Sequence, residues 1–242
     1  MRTFAAYGNA SVQEIYGEAL SKAGVLQVTT LASTVFFNRG EKFEAKALPM
    51  EAQFTTGFGV VVNDFDGDGR EDVFLSQNFF ATNYEMPRND AGRGLLLQGD
   101  GKGNLKPVPG QVCGIKVYGE QRGCAVTDFD QDGRLDLVVT QNAAPTRLFR
   151  NRAAKPGARV VLRKPNGDAM VGATIKVTGP NIALNREVQA GSGYLSLNGA
   201  TQIVPRGTQL EVRLPDGKKA TAQIGAETKV VMIGADGKVT LE

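Results

Sequence analysis

Two acidic segments of one design carry the clearest chemistry in this sequence: Asp64-Phe-Asp66-Gly-Asp68-Gly-Arg70-Glu-Asp72 and Asp128-Phe-Asp130-Gln-Asp132-Gly-Arg134-Leu-Asp136. They stand 64 residues apart, and each runs through an apolar stretch to Gln-Asn, ending at Asn78 and Asn142. Over those fifteen positions nine are identical. Carboxylates at positions 1, 3, 5 and 9, with Gly at position 6, suit a hard, oxygen-seeking cation such as Ca2+. The expected ligands are Asp64, Asp66, Asp68 and Asp72 in one loop and Asp128, Asp130, Asp132 and Asp136 in the other. Arg70 and Arg134, at position 7, would add backbone carbonyls while their side chains point to solvent. Two Ca2+ sites follow, structural in role, because no open catalytic position or base stands beside either loop.

The elements that must position these loops are strands. Gly59-Val-Val-Val62 and Gly123-Cys-Ala-Val-Thr127 precede them, and Val73-Phe-Leu75 and Leu137-Val-Val139 follow, all short and rich in β-branched residues. An EF-hand is excluded: position 12, where it needs a bidentate Glu, is Leu75 or Val139, and flanking helices are missing from the pattern. Plain Asp-Gly turns are the simpler alternative, but recurrence in register at a long period marks a repeated structural unit.

Around the loops, Ser11-Val-Gln-Glu14 reads as a capping box opening a helix that stops at Lys22-Ala23-Gly24, with Ile15 and Leu20 on its buried face. A hairpin is expected over 31–48, turning at Asn38-Arg39-Gly40, and another over 94–105. Each repeat then supplies about four strands, as a propeller blade does. Closure takes roughly 4 to 8 blades, so two blades imply upstream blades or association of chains. From Ala153-Ala-Lys-Pro-Gly157 onward the acidic repeat is gone. Turn pairs at Asn166-Gly167, Asp216-Gly217 and Asp236-Gly237 punctuate short strands of a second, sandwich or barrel domain. The domains expected are 1–152 and 153–242, and the fold class is all-β: a partial β-propeller followed by a small β-sandwich or barrel.

Composition narrows the function. The charge of +3, from 28 basic and 25 acidic residues, gives no footprint for nucleic acid or a membrane surface, and no apolar run reaches the ~20 residues of a membrane span. Without a single histidine, Ser-His and Cys-His nucleophiles and His-ligated zinc drop out. No catalytic residue is assigned. Met1 to Gly8 lacks the apolar core of a signal peptide, whereas loops of this type fill where calcium is millimolar. The expectation is therefore the C-terminal part of a larger exported protein. Cys113 and Cys124 stand as a disulfide or as two free thiols; spacing does not choose.

On these residues the chain resembles the FG-GAP/VCBS-repeat proteins with a C-terminal ASPIC/UnbV domain, the cartilage acidic protein-like family. The acidic loops match the FG-GAP calcium loop, and Gly57-Phe-Gly59 stands where its Phe-Gly element belongs. Val171-Gly-Ala173, Gly191-Ser-Gly-Tyr-Leu-Ser196 and Leu210-Glu-Val-Arg-Leu-Pro-Asp-Gly217 resemble the ASPIC/UnbV signature. Leu214 replaces the usual aromatic before Pro-Asp-Gly, and a His-Phe-Gly-Leu-Gly-like stretch has shrunk to Gln202-Ile-Val-Pro-Arg-Gly207. The resemblance implies an integrin-α-like propeller, calcium, and a secreted or cell-surface location (periplasmic or outer-surface in a bacterium).

The function this favours is a non-catalytic, calcium-stabilised scaffold for adhesion, with an extracellular protein or carbohydrate as ligand. The alternatives are a polysaccharide-active enzyme, which needs acids about 5 to 9 Å apart outside the loops, with Glu85 and Asp90 as candidates, and an architectural propeller cap. Ser192, Tyr194 and Ser196 read either as a polar binding row or as a glycine bulge with Tyr194 packed beneath it. Phe79-Phe80 reads as core or blade-to-blade packing rather than a partner site.

Overall fold

In the computed structural model, which describes residues 3–242, the Ser11 capping box is formed: Ser11 Oγ accepts from Glu14 N–H and the Glu14 carboxylate accepts from Ser11 N–H. Helix α1 spans Phe4–Gly8 and α2 spans Val12–Tyr16. The helix expected to reach Lys22 stops at Tyr16, because Gly17 turns to φ 53° and the chain continues as a 3-10 turn, Gly17–Lys22. Ile15 and Leu20 are half-buried. This segment, to Ala32, forms one compact unit, and Ser33–Glu242 forms the other.

The larger unit is all-β. Strands β1 (Thr34–Asn38) and β2 (Phe43–Ala47) form the expected hairpin. A four-stranded antiparallel sheet follows: β3 (Gly57–Asn63), β4 (Asp72–Gln77), β5 (Leu95–Gly99) and β6 (Leu105–Val108). After the short α3 (Gly110–Cys113) comes a second sheet, β7 (Glu120–Thr127), β8 (Asp136–Asn142) and β9 (Ala144–Phe149). It has three strands rather than four, because Asn151 anchors the chain leaving β9. Its N–H donates to Asp136 Oδ1, and its side-chain amide donates to the Phe65 carbonyl.

The two sheets face each other as propeller blades do. Val61, Phe74 and Leu96 of the first meet Cys124, Val126, Leu137 and Val139 of the second, with Phe65, Ile115 and Leu135 filling the layer. The other face of the first sheet packs Val73, Leu75, Leu95 and Leu97 on Ala52 and Leu48. Glu120 ties the sheets together: its carboxylate accepts from Phe80 N–H and from Asn142, and pairs with Arg122 at 2.8 Å.

The rest of the chain builds a sandwich. Strands β10 (Ala158–Arg163), β11 (Thr174–Gly179), β12 (Ile182–Glu187), β13 (Gln202–Val204), β14 (Gln209–Arg213), β15 (Lys219–Gln223), β16 (Val230–Gly234) and β17 (Val239–Leu241) form two sheets, ordered β13-β10-β16-β17 and β12-β11-β14-β15. They enclose one core, including Val160, Leu162, Ile175, Val177, Leu210, Val212, Val231 and Ile233. Gly167, Gly217 and Gly237 all take positive φ in the turns foreseen from their Asn-Gly and Asp-Gly pairs.

Glycines at one repeat position show how the sandwich meets the blades. A Cβ on Gly59 would come within 2.9 Å of Ser76 Oγ, the Arg122 carbonyl and Cys124 Sγ, so the first sheet needs glycine there to approach the second. Gly123, 64 residues on, meets Ser196 Oγ and the Leu195 carbonyl. The loop between β12 and β13 thus sits against the second sheet where a following sheet would. Asn198 and Gly199 extend the contact through Val126, which donates to Asn198 Oδ1 and accepts from Gly199 N–H.

That loop corrects the expected strand bulge. Gly191 to Ser196 lies outside any strand, closed by Ser192 N–H donating to the Ser196 carbonyl and Asn198 N–H donating to Ser192 Oγ. Tyr194 is 45% exposed, its ring packed 5.6 Å from Phe58, which also lies under the Arg122 guanidinium and 6.0 Å from Phe79. Phe79 and Phe80 are half-buried. Cys113 and Cys124 are free thiols, and burial pushes Cys124 up to about 12.

Candidate metal sites

Each acidic loop joins the first two strands of its sheet, β3 to β4 and β7 to β8, so position 12 is a strand residue packed in the core. Gly69 and Gly133 turn at φ 85° and 81°. Gly67 also has positive φ, and a Cβ there would lie 2.4 Å from the Lys155 carbonyl; the second loop puts Gln131 at the matching position, at φ 61°.

In the first loop Asp64 is the hub. Its Oδ1 accepts from Gly67 N–H and Asp68 N–H at 2.8 and 3.1 Å, and its Oδ2 accepts from Gly69 N–H at 2.8 Å. Asp72 accepts from Phe65 N–H and Gly99 N–H at 2.9 and 2.8 Å. Asp66 accepts from Asp68 N–H and from Gln98 Nε2. Carboxylate oxygens of Asp64, Asp66 and Asp72 lie within 4.8 Å of one another. Burial, only partly offset by these amide hydrogen bonds, pushes Asp64 up to about 6 and Asp72 to about 7.

The second loop repeats the cluster with Asp128, Asp130 and Asp136 inside the same 4.8 Å. Asp128 accepts from Asp132 N–H and Gly133 N–H at 3.0 and 3.2 Å, and Asp136 accepts from Phe129 N–H at 2.9 Å and from Asn151 N–H. Two guanidinium groups join it. Arg159 Nε of β10 lies 2.9 Å from Asp128 Oδ2, and Arg150 pairs with Asp130. Burial still pushes Asp128 upward, opposed by the Gly133 amide and by Arg159.

Of the expected ligands, Asp68 and Asp132 stand outside the clusters. Arg70 is exposed as expected, although it also pairs with Asp68 at 3.0 Å. For Arg134 the expectation of a solvent-pointing side chain is corrected, since it is partly buried, pairs with Asp132 at 2.9 Å and donates to the Ala154 carbonyl. Each is the nearest cation in sequence to an otherwise crowded carboxylate. The donors present fit a hard divalent cation. All are oxygen, and three per loop converge within 4.8 Å.

Gln98, Arg150, Arg159 and the Arg186–Glu71 pair were not foreseen. Strand register makes Gln98 and Arg150 equivalent, since Val73 faces Leu97 and Leu137 faces Phe149. Arg186 of β12 grips Glu71 with two nitrogens at 2.9 and 3.2 Å, so both loops touch the sandwich. Lys155 N–H donates to the Asp66 carbonyl and Gly157 N–H to that of Gly133, around a cavity of about 290 Å³ between the loops and the 154–157 segment. Among the described residues, the two Asp triads are the carboxylate groupings able to converge on one ion. Glu85 instead accepts from the hydroxyl of its neighbour Tyr84.

Fold and site together define an all-β protein of propeller-like sheets with two candidate cation loops at strand junctions. No family model matches the chain. It is similar to cartilage acidic protein 1 of Mus musculus, 28% identical over 183 residues, which is 69% of this chain and 27% of the mouse protein. The Homo sapiens protein is 27% identical over 182 residues, 69% of this chain and 26% of its own length. The Xenopus tropicalis protein is 28% identical over 97 residues, 40% of this chain and 13% of its own. The chain thus spans about a quarter or less of the curated relatives it matches.

Proposed function

We propose that the chain is a calcium-braced, non-catalytic scaffold module of FG-GAP/VCBS type, with residues 1–152 as the repeat region and 153–242 as an ASPIC/UnbV-like domain. Asp64, Asp66, Asp68 and Asp72, with the Arg70 carbonyl, hold one Ca2+; Asp128, Asp130, Asp132 and Asp136, with the Arg134 carbonyl, hold the other. The observation that carries this reading is the pair of carboxylate triads, each within 4.8 Å, at equivalent strand junctions. Buried carboxylates so close need a counter-charge to stay ionised, and a cation supplies it while fixing the loop between two strands. Similarity to proteins named for cartilage supports an extracellular setting, with a protein or carbohydrate ligand and further blades from the same or another chain.

Calorimetric titration of the chain with Ca2+, beside thermal melts with and without the ion, tests the reading. Binding at both loops and a raised melting temperature are expected. A flat titration and an unchanged melting temperature would remove calcium from the reading.

A further inference from the structure

We infer that the two loops are unequal cation sites: the first binds Ca2+ tightly, while the second binds it weakly, in competition with Arg150 and Arg159, which act as built-in counter-ions. This rests on the calcium reading above and goes beyond it by ranking the sites and naming the residues that set the rank.

The loops differ little in sequence and much in company. Where the third strand of each sheet ends, Asp66 meets the neutral amide of Gln98, but Asp130 meets the guanidinium of Arg150. Asp64 accepts three backbone N–H groups and no side chain, whereas Asp128 accepts two and faces Arg159. Arg186, which reaches the first loop from the sandwich, makes its ion pair with Glu71 outside the triad and acts on Asp64 only through its charge, without direct contact. With Arg70 and Arg134 each set against their own Asp, the first loop keeps three carboxylates without an ion pair and the second only one.

Arg159 is well placed to be displaced. Its Nε lies 2.9 Å from Asp128 but is not aligned as a hydrogen bond, so the attraction is Coulombic. Asp128's side chain is fully buried, where a neighbouring charge is weakly screened. A cation entering the second loop must share Asp128 and Asp130 with two resident positive charges. Removing one such charge a few ångströms away changes affinity by roughly tenfold or more.

The test is a Ca2+ titration of the full chain by calorimetry, with melting curves of every variant as a check on folding. Two events separated by at least about tenfold in Kd are expected. Asp64→Asn should abolish the tighter one and Asp128→Asn the weaker. Arg159→Gln should strengthen the weaker event about tenfold and leave the tighter one unchanged. Should Arg159→Gln fail to fold, Arg150→Gln, at a half-exposed side chain on a strand end, reads the same effect. The reciprocal Gln98→Arg should weaken the tighter event. Equal affinities in the wild type, or a weaker event indifferent to both arginine variants, would overturn the inference while leaving calcium binding intact. Absence of any binding would overturn the calcium reading and this inference with it.

Discussion

The two acidic loops share their Asp spacing, their strand junctions and their Phe at position 2, yet they are in different surroundings. Phe65 is buried between the two sheets, whereas Phe129 is 68% exposed. The first loop belongs to a sheet with another sheet packed on it. The second belongs to a sheet whose next neighbour is the loop at 189–201, and its carboxylates are met by arginines instead. A motif fixes the ligand atoms of a site; what packs around the motif fixes how much charge remains for a cation to neutralise.

The comparison can be broken most sharply at Gly67. Gly67→Ala would place a Cβ 2.4 Å from the Lys155 carbonyl at positive φ, so a loss of about 3 kcal/mol is expected in urea unfolding. A loss under about 1 kcal/mol would mean the loop is not held against the 154–157 segment. Next in size is stabilisation by calcium. At a hundred times Kd a bound ion adds about 2.7 kcal/mol, so Asp64→Asn should erase most of the calcium-dependent rise in melting temperature at low calcium, and Asp128→Asn little of it. Equal losses would make the loops equivalent.

Acidity acts on both loops, Asp128 included, and more strongly on the first. Asp64 and Asp72 are pushed up to about 6 and 7 by burial. The folded, cation-free state therefore binds protons that the unfolded chain, with ordinary carboxylates, has already released. Its stability from these groups falls as pH rises through the window from about 4 to about 7. Calcium must expel those protons, so affinity at the first loop should drop as pH falls from 7.5 to 5.5, by up to about tenfold per unit. Calorimetry across that range checks it; a pH-independent affinity would contradict it. The smallest effect is expected at Gln131, where glycine would relieve a left-handed backbone. Gln131→Gly should stabilise by about 1 kcal/mol or less in chemical denaturation, and a destabilisation would show that the Gln131 side chain matters to the loop.

Much of this was legible in the sequence because it is local. The Asp spacing, the glycine turns, the strands flanking each loop and the Asn-Gly and Asp-Gly pairs depend on a few consecutive residues, and the structure forms them where expected. The inequality of the loops was not legible. Gln98 lies 34 residues after Asp64 but Arg150 lies 22 after Asp128, so the 64-residue repeat does not align them; only strand register does. Arg159 and Arg186 reach the loops because the sandwich packs on the sheets, a contact no periodicity announces. The helix that ended early at Gly17 and the Gly191–Ser196 segment that became a loop share a cause. In both, glycine backbone freedom and hydrogen bonds set by position overrode the local pattern.

The most direct test of unequal loops is a crystal grown with one equivalent of calcium and measured for anomalous scattering. Density at Asp64, Asp66 and Asp72 with little at Asp128, Asp130 and Asp136 is the expected result. Equal density at both loops, or density first at the second, would contradict it.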